Sequence, residues 1–482
     1  MFGKQFSLIS TLKYSLKDDL LWLVKDLEMR KRLIITIGIL IFVQTISYIP
    51  LPGINLSILG DSINRAAKER FSILALGLAP FFTACIFLQL GSAFIPYLRK
   101  LLFAGASGRV VLAKYTYIFT IVLSIIQSYL IALWLENPAR FEGLRLVANP
   151  GMGFRLMSVA TMTAAVILLL FIADIINKRG IGNGIALIFI AHLAGVFLKA
   201  IYTMFVLIKD RQMAPFIPFL VTTIFIILVS LAYYLTNRVK VVEAKDSSGN
   251  KVYIPLRASM VGIEPISLGQ SLAILPLTLA TFINSPWLRN LAINIQRNFL
   301  FGNFIVLVLT LALIYVYAKI IFSPKYINSL MSKYGYGHSD MAGPQNNYLN
   351  NTMLRTLILT GGIFTFINLL SLLGYYFKMP FLVAVLFGSG VLLMVGIFSD
   401  IISQVEFFRS KSASGIKDWA ICCVAFDEIE AQIKSEYLKN NKIIALVEPL
   451  RFSWGMPVRT IVDQYRIYVP FDKKDEAANL IK

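Results

Sequence analysis

Long apolar stretches alternate with short charged or glycine-rich links along most of this chain. Ten runs stand out: Ile34–Pro50, Ile73–Ile95, Tyr115–Leu135, Met157–Ile176, Ile185–Ile208, Phe216–Leu235, Ile266–Ile283, Phe299–Phe322, Leu354–Tyr376 and Phe381–Ile402. Each approaches or exceeds the roughly 17–20 mostly apolar residues that a helix needs to cross the hydrocarbon core of a bilayer. The pattern predicts an all-α polytopic membrane protein with ten transmembrane helices. They are read as two sets of five, with the long basic segment Asn237–Arg257 following the sixth run. An odd number of spans per half sets related halves in opposite orientations, as in inverted repeats, so two pseudo-symmetric halves are expected.

The flanks differ from this body. Met1–Arg32 is amphipathic, with Lys4, Lys13, Lys17, Lys25, Arg30, Lys31 and Arg32 ahead of the first run. It lacks the short apolar core and small-residue cleavage site of a signal peptide, and is expected to lie on the cytoplasmic membrane surface. Residues 33–405 form the membrane body. Residues 406–418, with the small, polar, basic stretch Arg409–Lys417, are expected to be a linker. Residues 419–482 change character again: strand-like Ala420–Phe426, a helix over Glu428–Asn440 capped by Asp427, strands at Lys442–Leu450 and Tyr465–Pro470, and a helix from Lys473 capped by Asp472. A small cytoplasmic α+β tail of order β-α-β-β-α is predicted.

Composition supports lipid as the solvent. Hydrophobic residues make up 57% of the chain and charged residues only 15%, and the mean hydropathy is +0.71. A soluble chain of this length needs far more charge to cover its surface. The net charge of +20 is unevenly spread: Arg99, Lys100, Arg109 and Lys114 follow the second run, and Arg238, Lys240, Lys245, Lys251 and Arg257 follow the sixth, while Lys378 stands alone between the ninth and tenth. The positive-inside rule then puts both termini in the cytoplasm. The same basic loops, through Arg109, Arg179, Arg238, Lys240, Lys251 and Arg257, are candidate docking points for acidic partners or ribosomal RNA; charge alone leaves topology and docking both open.

Chemistry is scarce. His192 and His338 have no metal-binding companion, and Cys85, Cys422 and Cys423 match no zinc spacing. No phosphate loop, nucleophile elbow or metalloprotease helix occurs, so neither an enzyme nor a cofactor is expected. An intramembrane enzyme would need paired carboxylates or a serine–histidine arrangement within its spans, and none is visible. An ion-coupled small-solute transporter, the alternative function, usually places ionisable groups near the bilayer midplane. Here Asp174, Glu264 and Asp400 sit at span ends. That scarcity argues against solute coupling.

The sharpest motif is Lys178–Leu187, in which Gly180, Gly182 and Gly184 interrupt the helical pattern. It fits a tight inter-span turn or a shaped hinge at a pore mouth. Arg179–Ile185 resembles the signature of the SecY family of protein-conducting channel subunits. So do Ile49–Asn55, Ala75–Pro80, Gly105–Arg109 followed by Lys114–Thr116, and Phe387–Gly390 leading into an apolar run. These motifs occur in the family's order across roughly residues 30–405.

The resemblance implies a ten-helix clamshell in a bacterial-type plasma membrane that threads unfolded polypeptide across and releases apolar segments sideways into lipid. It implies an apolar constriction at Leu78, Phe82, Ile185, Phe189 and Leu393, with a span-seven member at Ile266 or Ser267; such a ring excludes ions by dewetting. It implies a lateral gate carrying Thr83, Gln89, Gln270 and Ser271, whose polar contacts across the seam are worth about 0.6–2 kcal/mol. The implied partners are a SecE-like clamp subunit, a SecG-like accessory subunit, a SecA-type ATPase motor or the ribosome, unfolded preprotein, and membrane lipids. No specific nucleic acid beyond ribosomal RNA is implied. Three features depart from the family. The plug region is short and polar at Asp61–Arg70, with Arg65, Lys68 and Arg70 expected at the outer mouth. The loop segment His338–Gln345 lacks the usual arginine. The 419–482 tail has no counterpart and is expected to be a docking or regulatory module, or an inert appendage.

Overall fold

The computed structural model describes residues 26–55, 71–103, 105–138, 145–189, 240–245, 251–256, 285–321, 332–334, 389–416, 418–425, 428–449 and 465–481, with isolated positions between 191 and 365. Helix α1 spans Leu27–Ile46, and Asp26 caps it by accepting a hydrogen bond from the Met29 N–H at 3.0 Å. Leu27–Arg32 therefore opens the first helix rather than belonging to a separate surface segment; Met1–Lys25 lies outside the described residues. Helix α2 spans Ala79–Phe94. The second apolar run begins at Ile73, but residues 71–78 form turns, and Pro80 in the first helical turn sets the later start because its missing N–H costs nothing there.

Helices α3 (Pro96–Phe103), α4 (Gly105–Leu135) and α5 (Met152–Arg179) follow. Helix α4 packs against both α2 and α5, and α1 packs against α5. One face of α4 carries Thr116, Thr120, Ser124 and Ser128 at intervals of four, all fully buried. Three of these hydroxyls donate to the carbonyl four residues back and Ser124 to the one three back, at 2.6–2.9 Å. Small residues whose polar groups are satisfied within their own helix permit close interhelical approach in lipid. Helix α5 buries Met162, Val166, Leu169, Ala173 and Ile176 while leaving Leu156, Ile167, Leu168 and Phe171 exposed. Apolar exposure of that kind suits hydrocarbon contact.

Among the described residues, Val110–Leu135 and Met152–Arg179 are each long and apolar enough to cross a membrane, and Pro286–Ile295 with Leu300–Val316 form a further apolar pair bent by 97°. The bent pair belongs to α6 (Pro286–Arg297) and α7 (Phe299–Ile321). Phe216–Leu235 lies outside the described residues, as do most of Ile185–Ile208, Ile266–Ile283 and Leu354–Tyr376. On the side opposite the 180–184 loop, residues 49–55 are pinned by two isolated bridges, Pro50 to Ser72 and Ile54 to Val147. The Asp61–Arg70 stretch lies outside the described residues.

Helix α8 spans Ser389–Ala413. It carries straight through 406–413, expected as linker, with Ser410 Oγ bonded back to the Glu406 carbonyl at 2.8 Å. Between the sixth and seventh apolar runs, β1 (Lys240–Lys245) and β2 (Lys251–Leu256) form an antiparallel hairpin with Lys245 opposite Lys251.

In the tail, β3 (Trp419–Ala425), α9 (Glu428–Asn440), β4 (Leu446–Pro449), β5 (Tyr465–Pro470) and α10 (Lys474–Ile481) follow in order. The three strands make an antiparallel sheet of order β3-β5-β4, with a register shift between Ile421 and Cys423. Strand β5 alternates buried Tyr465, Ile467 and Val469 with half-buried neighbours, and α9 contributes Ala431, Ile433 and Leu438 to the same core. Period two on the strand and the helical spacing on α9 produce this shared apolar layer. Beside it, burial works against the charge of Lys434, yet the Glu430 carboxylate at 2.9 Å holds its pKa above the usual lysine value. The Cys423 thiol is pushed up by its hydrogen bond with Cys422 and by burial.

Candidate pore constriction and the loop that ties the helices

The 180–184 loop is built from backbone N–H groups that need partners and from side chains that supply them. The Ile181 N–H donates to Thr36 Oγ1 of α1 at 2.9 Å, and the Gly182 N–H to Gln404 Oε1 of α8 at 2.5 Å. The Gly184 N–H donates to Asn177 Oδ1 of α5 at 2.7 Å. Asn183 caps the helical segment that begins at residue 184, accepting from the N–H groups of Ile185 and Ala186 at 3.0 and 3.3 Å. Gly182 sits at φ +80°, and a side chain at Gly184 would meet the Ala173 backbone, 2.7 Å from its Cα. A left-handed φ and contact with a neighbouring backbone both demand glycine. The loop is thus a junction of α1, α5, α8 and the helical segment that begins at residue 184.

Arg32 strengthens the junction. Its guanidinium donates to the Gly180 carbonyl at 3.3 Å, pairs with Glu28 at 3.2 Å and lies 4.6 Å from the centre of the Phe408 ring. Met29, Ile181, Val405, Phe407 and Phe408 form one buried cluster here. Thr36, Asn177, Gln404 and Phe408 were not flagged in the sequence; their signal is the occurrence of polar or aromatic residues at the ends of apolar runs facing a glycine-rich turn.

Of the residues assigned to the constriction, Leu78 is buried, and Phe82, Ile185 and Phe189 are half-buried against the same apolar cluster. The Phe82 and Phe189 rings meet edge to face, with centroids 5.8 Å apart at 90°. Helix α2 and the helical segment that begins at residue 184 therefore meet at these two rings. Leu393 lies on α8, while Ile266 and Ser267 lie outside the described residues.

Among the gate candidates, Thr83 and Gln89 lie on α2, and the Thr83 hydroxyl donates to the Ala79 carbonyl of its own helix at 2.8 Å. It is satisfied without reaching across a seam. Gln270 and Ser271 lie outside the described residues. Nearby, a side chain at Gly269 would run into Thr310, so α7 packs directly against the chain at that position.

Of the basic docking candidates, Arg179 is exposed at the end of α5, Arg109 lies in the first turns of α4, and Lys240 and Lys251 lie on the hairpin. Arg238 and Arg257 lie outside the described residues, as do His192, Glu264 and His338–Gln345. No cluster of potential metal ligands occurs among the described residues.

A family model described as SecY matches residues 72–402. The chain is similar to the protein translocase subunit SecY of Aquifex aeolicus, 28% identical over 415 residues that cover 79% of this chain and 94% of the relative. It is also similar to that of Escherichia coli K12, 28% identical over 419 residues covering 80% and 93%. Thermus thermophilus SecY is 29% identical over 411 residues, covering 79% and 92%. A solved structure of SecY, concerned with its plug domain, superposes with a TM-score of 0.50 at 14% identity, covering 80% of this chain and 93% of that one. The chain belongs to the SecY family, and is a membrane-embedded protein with a largely helical, SecY-like fold.

Proposed function

We propose that this chain is the channel subunit of a protein translocase, passing unfolded polypeptide across a membrane and releasing apolar segments into lipid. The observation that carries the reading is the family match across 72–402, inside which Phe82 and Phe189 meet edge to face at the expected constriction. The reaction is conformational rather than chemical: ten spans in two halves part around a translocating segment. Bulky apolar side chains closing on that segment hold water and ions back.

Leu78, Phe82, Ile185, Phe189 and Leu393, with Ile266 or Ser267, form the constriction; Thr83, Gln89, Gln270 and Ser271 line the gate. Arg109, Arg179, Lys240 and Lys251, with Arg238 and Arg257, present a basic cytoplasmic face to a ribosome or a SecA-type motor. A SecE-like clamp and a SecG-like accessory subunit complete the assembly in a bacterial-type plasma membrane, with both termini cytoplasmic. Asp174 speaks against ion-coupled solute transport: it is paired with Lys178 at 2.6 Å, one turn before the loop at 180.

Reconstitution into vesicles with clamp and accessory subunits, a motor and a secretory precursor tests the reading. Precursor that becomes protected from added protease supports it. Precursor that stays digestible while a small solute accumulates overturns it.

A further inference from the structure

The tail is held against three separate parts of the membrane body. The first is the emerging end of α8. Phe407 meets the Tyr468 ring with centroids 5.3 Å apart, and the Lys411 ammonium lies 4.9 Å from the centre of the same ring. The Tyr468 hydroxyl donates to the buried Glu448 carboxylate at 2.9 Å, and Arg466 lies 3.7 Å from that carboxylate. Leu446 and Tyr468 thereby pack on the cluster that joins Met29 and Ile181 to Phe407 and Phe408. The second part is the loop after α7. Tyr334 of that loop is 5% exposed, counts among the residues of the tail's own core and lies 5.6 Å from the Tyr437 ring. The Lys333 ammonium lies 5.6 Å from the Tyr334 ring. The third part is the hairpin, since α9 packs against β2.

A linker-tethered appendage without a role has no need of three anchors. A tyrosine from the body inside the tail's core means that the tail's buried apolar layer is complete only when docked, which favours the docked form. The charge balance gives the consequence. Residues 419–482 carry nine acidic and nine basic residues, so the whole net charge of +20 belongs to the rest of the chain. The tail's Tyr468 ring faces the Lys411 ammonium, and the tail covers part of the lysine-bearing hairpin. A folded unit of its 64 residues has a radius of gyration of about 11 Å. That exceeds the screening length of about 8 Å at physiological salt. Polyanions outside it are shielded from the positive groups beneath.

We propose that residues 419–482 are a built-in, charge-neutral cover over the basic cytoplasmic loops, which a ribosome must lift before its RNA can bind there. The inference rests on the reading of those loops as a docking face. Opening costs the Tyr468 and Tyr334 contacts and returns the lysines to a partner whose affinity depends on them. The ribosome thus competes with a domain of the channel itself.

The test uses the full-length chain in vesicles and empty bacterial ribosomes as probe, with binding read by co-flotation. Tyr334→Ala combined with Tyr468→Ala undocks the tail, scored by protease cutting at residues 414–418. Lys411→Glu undocks it from the body side and leaves the tail's core untouched. A third version locks the tail: Cys85, Cys422 and Cys423 are replaced by serine or alanine, and cysteines put in by Tyr334→Cys and Tyr437→Cys are bridged with a bis-maleimide. Undocked chains are expected to bind ribosomes about tenfold more tightly than the unaltered chain, Lys411→Glu included although it removes a positive charge. The locked chain is expected to bind more weakly than the unaltered one. Equal binding by undocked, unaltered and locked chains overturns the proposal, as does an absence of ribosome binding by chains whose linker is freely cut. Precursor protection is scored on the same vesicles. If the cover fails while precursor is protected, only the cover falls; if no version protects precursor, the channel reading falls.

Discussion

Replacing Gln404 with leucine removes one acceptor from the junction and keeps the side chain's approximate volume. Gln404 is 2% exposed, and its Oε1 receives the Gly182 N–H at 2.5 Å. Leucine leaves that buried N–H without a partner, which costs about 1–3 kcal/mol. The cost falls on the closed form of the turn alone, because on local opening the amide reaches water. A change of 1.4 kcal/mol is tenfold in an equilibrium, so opening of residues 180–184 is expected to become about 5- to 150-fold more frequent. Hydrogen exchange followed by mass spectrometry on the full chain in detergent reads this directly, as lost protection in peptides covering the loop. Ser410→Ala on the same helix, at an exposed position, is the control and is expected to leave the loop unchanged. Unaltered protection in Gln404→Leu refutes the claim that α8 fastens this turn. Thr36→Val removes the neighbouring acceptor for Ile181, and the two substitutions together are expected to be non-additive because both act on one short turn.

Gly184→Leu drives a side chain into the Ala173 backbone, where no rotamer change relieves the contact; a destabilisation of about 1–3 kcal/mol or more is expected, read as a lower melting temperature in detergent. Phe82→Ala removes an edge-to-face partner of Phe189, and is expected to raise ion leak through the idle protein in planar bilayers; unchanged conductance removes Phe82 from the constriction. Glu136 follows α4 and joins Arg155 at 2.7 Å and the Gly151 N–H at 2.8 Å. Burial raises its pKa, but those hydrogen bonds outweigh burial and hold it below the ordinary carboxylate value of 4.5. A depressed folded pKa means the stabilisation is complete above the unfolded value and fades as pH falls below it, so the melting temperature is expected to drop between about pH 5 and pH 3. Glu136→Gln is expected to flatten that segment of the profile. An equally steep drop in the variant refutes the assignment.

Much was legible because lipid imposes simple rules on sequence. A run such as Phe299–Phe322 is nearly coincident with helix α7, since a spanning segment in hydrocarbon must satisfy its backbone internally. The strand and helix order of the tail was readable from periods of two and 3.6 in Tyr465–Pro470 and Glu428–Asn440. Element starts were less so: Leu27 and Ala79 are set by Asp26 and Pro80, local signals outweighed in the sequence by the apolar runs around them. The continuation of α8 to Ala413 was hidden because serine and lysine suit an exposed helix end and a linker equally well.

The candidate site divides in the same way. Three glycines within Lys178–Leu187 announced a constrained turn, and the order of motifs pointed to the family, because glycine where a side chain cannot fit is visible one residue at a time. Which side chains fasten that turn was not visible. Thr36, Asn177 and Gln404 lie on three helices far apart in the chain, and each looks in isolation like an ordinary polar residue near a span end. Only packing brought them to the same few amides. Tyr334 is the clearest instance: its sequence neighbours place it in a polar loop, and it is buried in one apolar cluster with the tail's core residues. Local chain chemistry determines where helices, strands and tight turns form; which of them touch is a property of the assembled interior, where distant groups compete for the same partners and the same dry surface.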